Sequence, residues 1–66
     1  MVVVLNRSIR SDEKTHIREY LQERGFKVRE IVGEEETIFG VVGQVGIDLR
    51  EVEVLPGVER VIPISK

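Results

Sequence analysis

Two stretches of the chain alternate in a way that makes them apolar on both faces. In residues 36–43, alternate side chains fall on two faces, with Thr37, Phe39 and Val41 on one face and Ile38 and Val42 on the other. Residues 2–5 read Val-Val-Val-Leu and are also apolar on both faces. Such β-branched runs are typical of strands in the middle of a sheet, whereas a helix would carry Gly40 at a cost of about 1 kcal/mol. The pattern predicts central strands over 2–6 and 36–43.

Two other stretches have helical features. Ser11 is predicted to cap a helix over 12–24, although the capping box fails because Lys14 stands where Glu or Gln would close it. Gly25 suits the left-handed conformation that ends a helix. The apolar stripe of this helix is Ile17, Tyr20 and Leu21. Asp48 is predicted to cap a second, shorter helix, whose inward-facing residues are Leu49, Val52 and Leu55.

The remaining apolar segments predict two edge strands. Residues 26–32 alternate imperfectly, with Phe26, Val28 and Val32 on one face and Lys27, Arg29 and Ile31 on the other. This partly polar face indicates an edge strand that meets solvent or a charged ligand, and a turn at 33–35 joins it to the central strand as a hairpin. Pro56-Gly57 predicts a type II turn. The last strand, 58–64, contains Pro63, which lacks a backbone donor and places the strand at an edge.

The element order is strand, helix, strand, strand, helix, strand. With right-handed crossovers, this order predicts one α+β domain over residues 1–66, a ferredoxin-like βαββαβ sandwich. We expect a four-stranded antiparallel sheet in the order 4-1-3-2, with both helices on one face. Because the central strands are apolar on both faces, the helix-free face would be an exposed apolar patch, which soluble monomers avoid. We therefore expect that face to pack against another subunit or another domain.

Composition excludes several classes of partner and site. The formal net charge is −2, whereas nucleic-acid partners normally require a concentrated basic surface, so we expect none. The chain has no Cys, which excludes disulfides and thiolate metal sites. No apolar run approaches the roughly 20 residues of a membrane span, and Met1 leads straight into an apolar run without a basic leader. We expect no membrane partner and a cytoplasmic location.

Groups for catalysis or metal binding are few. His16 is the only histidine, lies outside the apolar stripe and has no nucleophile to serve, which favours a solvated surface residue. Residues 34–36 are three glutamates, but consecutive residues in a tight turn splay apart, whereas metal loops space their ligands. We expect no catalytic residue, no metal site and no cofactor in this chain.

The glycines match no phosphate-binding fingerprint. Turn geometry explains Gly43 and Gly46. Gly40 is different, because a glycine inside a central strand marks either a bulge or a place where something approaches the backbone closely. Helix packing and a ligand are equally good explanations of that approach.

Two other classes of protein with the ferredoxin-like fold, RNA-binding domains and acylphosphatases, have requirements that the sequence can be checked against. RNA-binding members need exposed aromatic residues in a basic field, and only Phe39 could serve. Acylphosphatase-type members need an Arg and backbone amides in a glycine-rich first loop. Arg7 and Arg10 lie in that loop, but the glycine-rich cradle is absent.

Three segments carry a family resemblance: MVVVL at 1–5, GEEETIFGVVG at 33–43 and LPGVERVIPI at 55–64. Together they resemble the N-terminal ferredoxin-like domain of 3-deoxy-D-arabino-heptulosonate 7-phosphate (DAHP) synthase, and the likeness spans nearly the whole chain. In that family the domain precedes a (β/α)8 barrel. The barrel is a transferase that condenses phosphoenolpyruvate with erythrose 4-phosphate, using a divalent metal, at the start of the shikimate pathway and aromatic amino-acid biosynthesis.

The resemblance implies a regulatory domain without catalysis of its own. In the family the small domain pairs with a like domain, and in feedback-controlled members an aromatic amino acid binds between the pair. Effector-sensitive members place small polar or imidazole groups on the second strand, where this chain has Arg29 and Ile31. Arg29 could hold an effector carboxylate, while Ile31 could equally mean that amino-acid control has been lost. The residues expected near an effector are Arg29, Ile31, Thr37 and Phe39.

Three functions therefore remain open. The first is a regulatory, allosteric domain of DAHP synthase that binds an aromatic amino acid. The second is an oligomerisation module with no ligand, and the third is an acylphosphatase-like enzyme. The expected partner is a second copy, bound through the open sheet face, or a catalytic barrel domain.

Overall fold

Six elements of secondary structure follow one another in the predicted order. The computed structural model describes residues 1–43 and 46–63. Its strands and helices are β1 (Val2–Leu5), α1 (Ser11–Glu23), β2 (Lys27–Val32), β3 (Thr37–Val42), α2 (Leu49–Glu53) and β4 (Val58–Ile62). The loop predicted at Gln44 and Val45 and the strand residue predicted at Ile64 lie outside the described residues.

The strands form one antiparallel sheet in the order β2-β3-β1-β4, which is the predicted order read from the other edge. Within it, Val3 of β1 pairs with Phe39 of β3 on one side and Val61 of β4 on the other. Val2 pairs with Ile62, so the start of β1 and the end of β4 lie side by side. This arrangement confirms the ferredoxin-like fold class.

One face of the sheet and both helices enclose the core. The sheet contributes alternate residues of its strands, which are Val3, Leu5, Phe39, Val41 and Val61. α1 contributes Ile17 and Leu21, and α2 contributes Val52; all three are fully buried. Because these side chains form one hydrophobic cluster, both helices cover the same face of the sheet, as predicted.

α1 begins one residue earlier than the sequence predicts. Arg10 is the residue before the helix and has an extended backbone, so the prediction that Ser11 caps the helix is wrong. The shift brings Glu13 to the third helical position, where its carboxylate accepts a 3.0 Å hydrogen bond from the Arg10 backbone N–H. That contact is one half of a capping box, which explains why the start at Arg10 is preferred.

α1 ends at Glu23, one residue before the predicted end, and Gly25 follows as the left-handed stop that the sequence predicts. Gly25 has φ 91°, and its N–H donates to the Gln22 carbonyl oxygen at 3.0 Å. The Phe26 N–H donates to the Leu21 carbonyl oxygen at 3.1 Å. These two bonds make a Schellman motif, whose accompanying apolar contact is supplied by the buried side chains of Leu21 and Phe26.

The second half of the chain follows the predicted signals, except at its end. Asp48 caps α2 by accepting a 3.0 Å hydrogen bond from the Arg50 N–H. Gly57 has φ 92°, and the turn closes with a 3.1 Å bond from the Val58 N–H to the Leu55 carbonyl oxygen. β4 stops at Ile62, before Pro63, because proline has no N–H with which to continue the ladder.

Candidate functional site

The helices leave one face of the sheet uncovered, and we call it the open face. Its strand positions alternate with the core positions and pair with one another across the sheet. The apolar members are Val2, Val4, Ile31, Ile38, Val42 and Ile62. The other members are Gly40 and three cations, Lys27, Arg29 and Arg60. A register shift in β4 also leaves exposed Glu59 beside Arg60.

The apolar side chains of the open face are exposed to different degrees. Val4, near the middle, is only 3% exposed, because its neighbours on the adjacent strands cover it. Ile31 is 48% exposed, Ile62 is 42% exposed and Val42 is 70% exposed. Exposed aliphatic side chains grouped on one face are typical of an interaction surface rather than of solvated strands.

Gly40 forms a shallow recess in the open face. It lies on β3 between Val2 of β1 and Arg29 of β2. A Cβ built at Gly40 would meet only the Arg29 carbonyl oxygen, at 3.9 Å, so nothing in the described chain requires a glycine here for space. Helix packing does not explain Gly40, because the helices lie on the other face. A group that approaches the open face from outside is the remaining explanation of the two considered.

The structure brings together two of the four predicted effector residues. Arg29 and Ile31 are both exposed on the open face of β2. Thr37 and Phe39 belong to the opposite face of β3, and Phe39 is fully buried. The guanidinium of Arg18 from α1 lies 5.7 Å from the centre of the Phe39 ring, on the helix side. Any effector that contacts Arg29 and Ile31 from the open face is separated from Phe39 by the sheet.

A charged cluster that the sequence did not reveal joins α1 to β2. Glu30 accepts a 2.7 Å hydrogen bond from Arg18 Nη2, and its second oxygen lies 3.4 Å from Lys14 Nζ. The feature of the sequence that could have indicated this cluster is the position of Glu30, which falls on the same face of β2 as Val28. A carboxylate on a core-facing position requires cationic partners, and α1 supplies them.

The other candidate groups are dispersed. His16 is exposed on α1, and Arg10 lies 3.6 Å from Asp12 at the surface. Arg7 borders a cavity of about 200 Å³ that is also lined by the glutamates of the 33–36 turn. Among the described residues, no group of three or more His, Cys, Asp or Glu side chains is placed to hold a metal ion.

Both helices are short, with 13 residues in α1 and 5 in α2. In the part of the chain that the structure describes, neither helix has the length and apolar character needed to cross a bilayer. Even the longer of the two, α1, is shorter than the roughly 20 residues that a span requires.

Two comparisons with known proteins give matches to this chain. The family model described as the DAHP synthase ferredoxin-like domain matches residues 1–66. Among solved structures, the chain is similar to phospho-2-dehydro-3-deoxyheptonate aldolase (DAHP synthase) from Thermotoga maritima, with a TM-score of 0.90 and 23% sequence identity. That match covers 98% of this chain and 19% of the Thermotoga chain, so this chain spans about a fifth of that protein. A search of curated proteins gives no match.

The two matches differ in what they establish. At 23% identity the structural likeness shows a shared fold, whereas the family model covers every residue from 1 to 66. The segments quoted from the sequence, at 1–5, 33–43 and 55–64, fall inside that match. The chain therefore belongs to the family of DAHP synthase ferredoxin-like domains.

Proposed function

We propose that this chain is a regulatory and assembly domain of a DAHP synthase, and that its open face is the surface through which it acts. The observation that carries the proposal is the family match over residues 1–66. The catalytic condensation would belong to a barrel that this domain serves, so the chain contributes no catalytic residue of its own.

Assembly is supported by the distribution of apolar surface. The helix side of the sheet is covered by the core except at the edge, where Val32 is 71% exposed, while the open face keeps Ile31, Val42 and Ile62 exposed. At about 25 cal/mol per Å² of apolar area, covering these side chains would favour docking. A second copy of the domain and a catalytic barrel are both candidates to cover them.

Effector binding is supported by Arg29 beside the recess at Gly40. A guanidinium binds a carboxylate through two parallel hydrogen bonds, and the missing side chain at Gly40 leaves room for a ligand next to it. Ile31 and Ile38 offer apolar contacts on the same face. We propose an aromatic amino acid as the ligand, held by its carboxylate at Arg29.

Thermal unfolding with and without L-phenylalanine or L-tyrosine tests the effector proposal. A ligand at about ten times its Kd stabilises the folded state by about 1.4 kcal/mol, which raises Tm by several degrees in a domain of this size. Arg29→Gln should abolish the rise because it removes the charge that holds the carboxylate. Arg7→Gln, which changes an exposed arginine off the open face, should retain it. No rise at millimolar ligand in the unsubstituted chain would contradict effector binding.

An oligomerisation module without a ligand is the second candidate, and the exposed apolar side chains of the open face favour it. It predicts that Tm rises with protein concentration and is unchanged by either amino acid. The same unfolding series, repeated at several protein concentrations, separates the two candidates.

A further inference from the structure

The strand β2 has a neighbour on only one side in the sheet that residues 1–43 and 46–63 form. Its pairing with β3 is regular over all six residues of the strand. The opposite edge strand, β4, has a register shift and is followed by Pro63. β2, which is described over its whole length, has neither a proline nor a bulge, two of the devices that keep an edge strand from pairing with another chain.

The hydrogen bonds of the hairpin show which backbone groups of β2 point outwards. In an antiparallel ladder, hydrogen-bonded pairs alternate with pairs that are not hydrogen-bonded. The Gly33 N–H donates to the Glu36 carbonyl oxygen at 2.9 Å, so the odd-numbered residues of β2 are the ones that bond to β3. Val28, Glu30 and Val32 therefore direct their N–H and C=O groups away from the sheet.

The pairing of β3 with the start of the chain gives the same result. Val41 donates its N–H to the Met1 carbonyl oxygen and accepts a bond from the Met1 amino group, both at 2.9 Å. Because its backbone groups are directed to that side, its pair with Val28 on the other side is not hydrogen-bonded. The turn, loop and cap bonds of the described residues do not use the outward groups of β2.

The side chains at the end of β2 are apolar and exposed on both faces. Val32 is 71% exposed on the helix side, and Ile31 is 48% exposed on the open face. Edge strands that remain in solvent normally carry charged side chains at such positions. Neither the core nor a partner on the open face would cover Val32, so its exposure indicates a contact at the edge itself.

A two-fold axis through Glu30, perpendicular to the sheet, places β2 antiparallel to β2 of a second copy. Val28 then lies opposite Val32 of the second copy, and Val32 lies opposite its Val28. All the outward N–H and C=O groups form ladder hydrogen bonds in this register, and each exposed Val32 gains an apolar neighbour. Moving the axis to residue 29 or 31 would leave Val32 or Val28 with no strand residue opposite it.

The axis also brings the two copies of Glu30 together. Like charges directly opposite each other destabilise a pair of strands. Here each carboxylate already accepts a 2.7 Å hydrogen bond from Arg18 and lies 3.4 Å from Lys14 Nζ. The two carboxylates at the axis would therefore be accompanied by the cations of both α1 helices, which offset their repulsion.

We infer that the outer edge of β2 pairs with the same edge of a second copy, which gives a continuous eight-stranded sheet with the helices of both copies on one face. The inference rests on the proposed assembly role and specifies the contact that provides it. Pairing at the edge leaves the open face of each copy accessible to a ligand or to a catalytic barrel.

A proline at an outward position tests this contact. Val32→Pro removes an N–H that points away from β3, so the fold should survive, but the edge pairing loses two hydrogen bonds per dimer. Sedimentation equilibrium of the full chain should show a monomer–dimer equilibrium, and Val32→Pro should raise its Kd at least about tenfold. Val42→Thr, a matched change of a valine on the open face, should leave the Kd within about twofold.

Circular dichroism establishes that each variant is folded. If Val32→Pro does not fold, Val32→Lys is measured in its place, because it keeps the backbone N–H and introduces the charge that typically prevents edge pairing. It should raise the Kd in the same direction.

Disulfide trapping tests the register. The chain has no Cys, so single substitutions give an unambiguous reading. The Cα atoms of a hydrogen-bonded antiparallel pair are about 5.5 Å apart, which is within the range of a disulfide. Under mild oxidation, a mixture of Val28→Cys and Val32→Cys should form the mixed disulfide in clear excess over either homodimer, because identical positions are four residues out of register.

Three outcomes would overturn the inference. The first is association that persists in Val32→Pro and is lost in Val42→Thr, which would move the contact to the open face and leave the assembly role standing. The second is a full chain that stays monomeric at millimolar concentration, which would favour a different protein or the barrel at this edge. The third is the absence of the mixed disulfide. All arms omit amino acids, so the effector proposal is decided separately by the thermal shifts.

Discussion

At the scale of single residues, Gly57 and Gly40 differ in whether the fold requires a glycine at that position. Gly57 has φ 92°, and a Cβ built there would lie 2.5 Å from the Ile9 side chain. Gly40 is not among the glycines with positive φ, and its Cβ would meet only a carbonyl oxygen, at 3.9 Å. The fold requires the first glycine, whereas the second leaves the open face recessed.

Alanine at these two positions should therefore have opposite effects. Gly57→Ala is expected to lower the free energy of unfolding by about 1–3 kcal/mol, because a side chain is strained at that φ and crowds Ile9. Gly40→Ala is expected to change it by less than about 1 kcal/mol, towards stabilisation, because it reduces the entropy of the unfolded chain. Urea unfolding of both variants measures the difference. Equal losses would show that Gly40 is also required by the fold.

At the scale of elements, the two ion pairs between α1 and β2 share one carboxylate. Glu30 is partnered by Arg18 and Lys14, and its side chain is 27% exposed, so solvent screens the pairs only in part. Glu30→Gln would leave two cations of α1 facing β2 without a counter-charge.

We expect Glu30→Gln to lower the free energy of unfolding by about 1 kcal/mol. Glu19→Gln, an exposed position on the same helix, should change it by less than about 0.5 kcal/mol. Thermal or urea unfolding of both variants, with salt varied, checks the comparison. If the two substitutions have equal effects, the cluster does not join the elements.

Most of the helices and strands could be predicted from the sequence, because each one depends on residues that are close together along the chain. The alternation on both faces of 2–5 and 36–43 predicted the central strands, and Gly25, Asp48 and the Pro56-Gly57 turn predicted ends and starts that the structure confirms. The start of α1 was missed by one residue, because the choice between Ser11 and Arg10 was decided by which cap lets Glu13 bond back to the chain. β4 ends at Ile62, before the predicted end, because Pro63 has no N–H with which to continue the ladder.

At the scale of the whole molecule, the face of each residue depends on register between strands, which a single sequence does not contain. Alternation separated Arg29 from Val28 and Phe39 from Ile38, but it could not say which side of β2 shares a face with which side of β3. The pairing of Arg29 with Gly40 and of Glu30 with Phe39 settles this, because paired residues share a face. Arg29 and Phe39 consequently lie on opposite faces.

Neighbouring positions of β3 should respond differently to the same substitution, because their side chains lie on opposite faces of the sheet. Val42 is 70% exposed and Val41 is 3% exposed. Val42→Thr should leave the free energy of unfolding within about 0.5 kcal/mol, whereas Val41→Thr should lower it by about 1–3 kcal/mol because the hydroxyl is buried. Val42→Thr should also reduce the fluorescence of a hydrophobic dye bound to the folded chain. Unchanged dye binding would indicate that the open face is not the apolar surface available to ligands.

The side-by-side placement of Val2 and Ile62 has a mechanical consequence. A pull applied between the outer ends of β1 and β4 starts at a single rung of their antiparallel ladder and breaks the rungs one after another, instead of shearing them all at once. Peeling β4 away would bare the edge of β1, the strand that also holds β3. A force that a bound protein applies to β4 would therefore act directly on β1, in the middle of the sheet.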